Sequence, residues 1–126
     1  MANWTPDGFV GETFRTTARY LPPPPGLKPA MRWGTEAGLR ELFGDDVASL
    51  EITRRSAMFR FRSAQHWIEY FRTYYGPTLK AFAALDAAKQ ASLAQDFIAL
   101  VGRYNRSGDE TMIVPGDYLE IAAIKR

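Results

Sequence analysis

The closing segment, MIVPGDYLEIAAIK from Met112 to Lys125, constrains the fold more than any other stretch. It alternates as a strand does, with Leu119, Ile121 and Ala123 on one face and Tyr118, Ala122 and Ile124 on the other. Apolar residues on both faces predict a strand inside a sheet, with a neighbour on either side. Other strands are scarce. In VASLEITRRSAMFRFRS, Leu50 and Ile52 alternate on even positions but Phe59 and Phe61 on odd ones. Side chains change face with every residue, so this change of parity predicts a bulge, bend or turn near Arg54–Ala57. The expectation is one long, bent strand, with a hairpin as the alternative. Two strands make a poor sheet on their own. The opening offers only the stub Ala2-Asn3-Trp4, which reads as the end of a strand feeding a helix.

The remainder reads as helical. Thr5-Pro6-Asp7 has the signature of a helix start: N-cap, proline at the first position, an acid at the positive end of the dipole. Val10, Phe14, Thr17, Ala18 and Leu21 continue it at helical spacing until Pro22-Pro23-Pro24-Pro25-Gly26 stops it. Leu21 to Gly34 is then expected as a stiff, extended crossing, a spacer or a lid over a pocket. Thr35-Glu36 opens a short helix through Leu39, Leu42 and Phe43, ended by Gly44. Ser63 caps an aromatic helix bearing Trp67, Ile68, Phe71, Tyr74 and Tyr75. After Gly76-Pro77 a short helix runs from Thr78 through Leu79, Phe82 and Leu85. Asp86 caps the last one, striped by Leu93, Phe97, Leu100, Val101 and Tyr104 and closed by the turn Asn105–Gly108. No internal repeat or domain boundary is visible, so residues 1–126 read as a single domain of α/β class, classed alternatively as α+β. It has N-terminal helices and antiparallel strands at about 47–62 and 112–125 with helices between.

Composition narrows the function. Sixteen basic residues, spread along the chain, nearly match fourteen acidic ones, which disfavours a nucleic-acid module despite a pI near 9.0. There is no cysteine, so disulfides, thiolate metal sites and thiol nucleophiles are excluded. No apolar run approaches the roughly 20 residues that span a bilayer, and no secretory signal is visible. The chain is expected to be cytoplasmic, with neither membrane nor nucleic acid as partner.

Chemistry-bearing motifs are absent: the sequence holds no HExxH, P-loop, GxSxG or GxGxxG. The single histidine, His66, reads as a boundary residue and Asp45-Asp46 as a solvated turn; Arg54, Arg55, Arg60 and Arg62 read as the wet side of a strand. No catalytic, cofactor-binding or metal residue is assigned. Aromatic residues are abundant, with eight Phe, six Tyr and three Trp. Tyr70, Tyr74 and Tyr75 on one short helix read chiefly as core and boundary, with a pocket lining as the alternative.

ANWTPDGFVG, PPPPGLKPAMRWGTEAGLRELFG, FRSAQHWIEYFRTYYGPTLKAF and DYLEIAAIKR together resemble the C-terminal half of Rossmann-like, S-adenosylmethionine-dependent methyltransferases. The likeness covers nearly the whole chain, and none of its pieces is a catalytic signature. It implies a partial Rossmann-like sheet in which Ala2-Asn3-Trp4 ends the family's fifth strand, Val47 to Arg62 is the sixth, and Met112 to Lys125 the seventh. The seventh runs antiparallel between the other two. It further implies that the acidic and glycine-rich cofactor loop lies in a half this sequence lacks, so that the chain alone neither binds S-adenosylmethionine nor transfers a methyl group. Trp4, Trp33 and Tyr75 become candidate walls of a substrate pocket, with a neutral or apolar small molecule as substrate. The leading expectation is a catalytically silent, methyltransferase-like protein that homodimerises, a second copy completing the sheet. The alternatives are one subunit of a split enzyme, its cofactor-binding partner a separate chain, and a small domain holding an apolar ligand in an aromatic cavity.

Overall fold

Strand β3 (Met112–Lys125) runs through the middle of a three-stranded sheet in the order β1-β3-β2, between β1 (Ala2–Trp4) and β2 (Val47–Phe61). The computed structural model describes all 126 residues. β3 is antiparallel to both neighbours, so β1 and β2 run parallel to each other. The apolar residues on both faces of β3 are accounted for by this central position. The helices are α1 (Phe9–Tyr20), α2 (Glu36–Phe43), α3 (Ala64–Tyr74), α4 (Gly76–Ala83) and α5 (Ala87–Tyr104). The chain is thus a mixed helix-and-sheet protein, and no helix is long and apolar enough to cross a membrane.

β2 is one long strand, as its sequence predicts, but the parity change has another cause than a bulge or turn. Pairing with β3 keeps unbroken register from Leu50 opposite Ala123 to Phe61 opposite Met112, and the only irregularity falls between Val47 and Ser49. What changes is the covered face. Phe59 and Phe61 pair with Val114 and Met112 and pack into a core built with α1, α3 and α5. Leu50 and Ile52 instead join Leu119, Ile121 and Leu39 of α2 in a second, smaller cluster. The odd-numbered face of β2 is partly covered at one end and the even-numbered face at the other. A flat alternation rule assumes that one layer covers the whole strand, and here two layers share it.

The predicted start of the first helix is also corrected. Thr5 is buried, and both its backbone N–H and its hydroxyl donate to the carbonyl of Asp117, at 3.0 and 3.3 Å. These bonds carry the β1–β3 pairing one residue further. Thr5 thus belongs to the sheet rather than to the helix, and α1 begins at Phe9 with Gly8 as its N-cap. Gly11 lies where a Cβ would come within 2.1 Å of the Pro6 carbonyl oxygen, so only glycine lets α1 fold back onto its own lead-in.

The other helix starts follow local chemistry. Thr35 Oγ1 accepts from the Gly38 N–H at 3.0 Å, Ser63 Oγ from His66 at 3.0 Å and Asp86 Oδ1 from Lys89 at 2.9 Å. α4 begins at Gly76, before the expected Thr78, because Pro77 suits the first turn, where its missing N–H costs nothing. The proline-rich crossing is not extended throughout. It turns at Pro24–Leu27, where Gly26 takes a φ of 81°, and ends in a 3-10 segment, Ala30–Gly34. That segment lies against β1: Asn3 donates to the Ala30 carbonyl at 3.2 Å, and a Cβ on Gly34 would fall 1.8 Å from the Trp4 carbonyl oxygen.

Candidate functional site

Trp4 closes β1 and Phe59 stands two residues before the end of β2, so the carboxyl ends of the two parallel strands present aromatic rings 5.6 Å apart. A cleft of about 90 Å³ opens beside them. α1 supplies one wall through Val10, Thr13, Phe14 and Thr17; α3 supplies another through Trp67 and Phe71. Tyr75, Pro77 and Thr78, at the α3–α4 joint, complete the rim, and Phe9 and Phe97 close the interior.

The lining is uncharged. Its hydroxyls are partly spent, since Thr13 donates to the Val10 carbonyl at 2.6 Å and Thr17 to the Thr13 carbonyl at 2.9 Å. Trp67 is held tightly, with its ring 5.3 Å from Phe9, 5.3 Å from Phe71 and 5.5 Å from Phe97. It is 2% exposed, yet its indole Nε1–H is the one buried side-chain polar group without a hydrogen-bond partner. Buried donors are normally satisfied, so this one is an exception, packed among aromatic rings. Tyr75 packs on Phe71 at 5.0 Å, and the burial of its ring raises the phenol above the ordinary tyrosine value.

Two of the three candidate walls, Trp4 and Tyr75, line this cleft together. Trp33 is not among its lining residues. It lines a separate surface cleft with Lys28, Pro29, Arg32, Glu41 and Leu42. Of the tyrosine trio only Tyr75 reaches the cleft; Tyr70 and Tyr74 lie on exposed helix surface. Reasoning from sequence missed Thr13, Phe59 and Trp67 as cleft residues. The available signal was at Trp67, which shares the apolar face of its helix with Phe71 and Tyr75. Phe14 and Thr17, placed on the apolar face of the first helix, line the cleft rather than fully buried core.

The remaining candidates carry structural roles. Arg54 pairs with Asp7 at 3.1 Å and Asp117 at 2.9 Å, and Arg55 with Glu120 at 2.9 Å, so these guanidinium groups are already matched by carboxylates. The guanidinium of Arg54, with lesser help from Thr5, holds the Asp7 carboxyl below its ordinary value. His66 Nδ1 accepts from the Arg62 backbone N–H at 3.3 Å, and its ring stands 5.5 Å from Phe61. Nor does the β1–α1 joint form a cradle open to a nucleoside. A Cβ on Gly8 would meet Thr5 Oγ1 at 3.3 Å, and the space beside Gly11 is filled by the Pro6 backbone. The glycines with positive φ, Gly26, Gly44 and Gly108, all stand away from the strand-to-helix joints.

No family model matches the chain. An uncharacterized protein of Mycobacterium tuberculosis is 34% identical over 128 residues, a match covering 98% of this chain and 45% of that protein. A second uncharacterized protein of the same species is 30% identical over 127 residues with the same coverage. Mycobacterium bovis has an uncharacterized protein that matches at 34%. The chain thus spans 45% of the length of these curated relatives.

Proposed function

We propose that this chain is the substrate-side half of a methyltransferase-like α/β protein, with the methyl donor held by residues outside it. The observation that carries the reading is the strand order β1-β3-β2, in which an antiparallel strand is inserted between two parallel ones. This is the order and sense expected of the fifth, seventh and sixth strands of the fold that the sequence resembles. The cleft stands at the carboxyl ends of the two parallel strands, where open α/β sheets bind their ligands. Trp4 and Tyr75 are its substrate walls, and Trp33 serves the neighbouring cleft.

The residues present do not fit S-adenosylmethionine. A nucleoside donor needs a close backbone approach at a strand-to-helix turn, and the spaces beside Gly8 and Gly11 are taken by the chain itself. We therefore derive no transfer step and assign no catalytic residue. The curated relatives extend to more than twice the matched length, and we place the donor-holding half in that additional sequence, on the same polypeptide or a separate subunit. In its absence, the unpaired edges of β1 and of the 15-residue β2 favour self-association.

Calorimetric titration of S-adenosylmethionine into the purified chain tests the reading: no saturable heat is expected, and micromolar binding overturns it. Light scattering at micromolar concentration tests self-association, which a clean monomer mass would refute.

A further inference from the structure

We propose that the outer edge of β2 is a dimerisation edge, on which a second copy of this chain adds its own β2 antiparallel. The two-fold axis passes through Thr53 and sets Glu51 opposite the partner's Arg55. The inference rests on the self-association in the functional reading and deepens it by naming the strand and the register. Its physical basis is independent of methyl transfer.

Three observations select the edge, the partner and the register. First, the two edges of the sheet differ. β1 has three residues, and the Ala30–Gly34 segment lies beside it, with Asn3 donating to the Ala30 carbonyl. β2 has 15, and nothing in the chain hydrogen-bonds its outer backbone row between Ala48 and Phe61. Such a row of free N–H and C=O groups is a template for another strand. Second, the usual protections are missing from its centre. It holds neither proline nor lysine, and its ladder with β3 is unbroken from Leu50 to Phe61. Third, its charges complement themselves in one register. Glu51, Thr53 and Arg55 form an exposed row on the odd-numbered face. Arg54 is matched by Asp7 and Asp117 and Arg55 by Glu120, whereas Glu51 has no ion pair. Arg55 and Glu120 are each still 52% exposed, so the guanidinium has donors left for a second carboxylate. Two strands related by a two-fold axis set each residue opposite the one equally far beyond the axis, on the same face. Centred on Arg54 or Arg55, the pairing would press that guanidinium against its own copy. Centred on Ile52 or Ser56, it opposes no acid to a base. Centred on Thr53, it joins Glu51 to the partner's Arg55 on both sides of the axis, where the two Thr53 side chains meet. The strand carries both members of the pair, so the partner it fits is itself.

The test uses the intact chain and light scattering over a concentration series. Wild type should reach the dimer mass at micromolar concentration. Arg55→Glu and Glu51→Arg each turn two opposite-charge pairs into like-charge ones, and each should weaken the dimer at least about tenfold. Mixed in equal amounts, the two variants regain complementary pairs and should form a heterodimer of near wild-type affinity. Because the chain has no cysteine, Thr53→Cys reads the axis directly. Opposed residues of antiparallel strands lie roughly 4.5–5.5 Å apart at Cα, within disulfide range, so mild oxidation should link Thr53→Cys into a covalent dimer. Ser56→Cys is the control: at about 3.4 Å per residue its two copies lie about 20 Å apart and should stay unlinked. Should a charge variant fail to fold, the cysteine pair decides alone. A clean monomer overturns the proposal, as does a dimer indifferent to both charge reversals, or single variants that do not recombine on mixing. So does a Thr53→Cys chain that links no faster than Ser56→Cys. S-adenosylmethionine titrated into the same sample fails or succeeds separately: its binding would sink the methyltransferase reading and leave the dimer standing.

Discussion

The two ends of the β2–β3 ribbon make opposite bargains with solvent. At the Phe59–Phe61 end, the ribbon's face lies against α1, α3 and α5 in a core of twelve buried residues, including Phe9, Trp67, Leu93, Phe97 and Val114. At the Leu50–Ile52 end, the opposite face meets only α2, and three residues are buried: Leu39, Leu119 and Ile121. Beyond them Ile124 is 63% exposed and Leu42 47%. One continuous ladder therefore spans a deep core and a shallow one. Stability should concentrate at the deep end, which also holds the cleft, while the shallow end is the thinner apolar layer.

The comparison breaks most directly under paired core truncations. Leu93→Ala and Leu39→Ala delete the same side chain from positions that are both 0% exposed. The deep-core change should cost about 4 kcal/mol and the shallow one about 2–3 kcal/mol, because α2 alone can shift to close its cavity. Urea denaturation followed by circular dichroism measures both, and a larger loss at Leu39 would reverse the ranking.

A smaller effect tests how the two ends are joined. Gly34→Ala forces a Cβ toward the Trp4 carbonyl oxygen, pushing the Ala30–Gly34 turn away from β1. A loss of about 1–3 kcal/mol is expected, together with a change in tryptophan fluorescence as Trp4 moves. Gly102→Ala is the control. Its added methyl meets nothing within 4 Å on α5, so it should stabilise by about 0.5–1 kcal/mol.

The smallest effect lies where the buried face changes sides. Arg54 bridges Asp7, ahead of α1, and Asp117 on β3; Arg54 and Asp7 are exposed and Asp117 is half-buried. Arg54→Ala should cost under about 1 kcal/mol at neutral pH. The sign of its pH dependence follows from Asp7, whose folded-state carboxyl lies below the ordinary value of 3.8. The contribution is fully present above that value and is lost as pH falls through the depressed one. Wild type and Arg54→Ala should therefore converge in stability as pH falls through that depressed value; a gap that persists once Asp7 is protonated contradicts the assignment.

Much of this organisation was written in local chemistry. Thr35, Ser63 and Asp86 announced their helices because a capping side chain needs only backbone groups three residues away. The interior position of β3 followed from its two apolar faces. Thr5 misled for the complementary reason. Its sequence neighbours spell a cap, but its donors go to Asp117, a partner 112 positions along the chain. The face switch in β2 was visible as a parity change, yet its cause, two layers covering different halves, is a property of packing that no window of sequence contains. The site was legible in part. Trp4 and Tyr75 were found as walls, whereas Trp67 was placed only on its helix, because the Phe9 and Phe97 rings that hold it beside the cleft come from distant parts of the chain.

The central claim is that this chain is one half of a donor-and-substrate pair. The most direct measurement is calorimetric titration of S-adenosylmethionine into the full-length Mycobacterium tuberculosis relative at 34% identity, with this chain titrated alongside. The account predicts micromolar, saturable binding to the longer protein and none to this chain. A longer protein that leaves S-adenosylmethionine unbound, or a chain that binds it unaided, would contradict it.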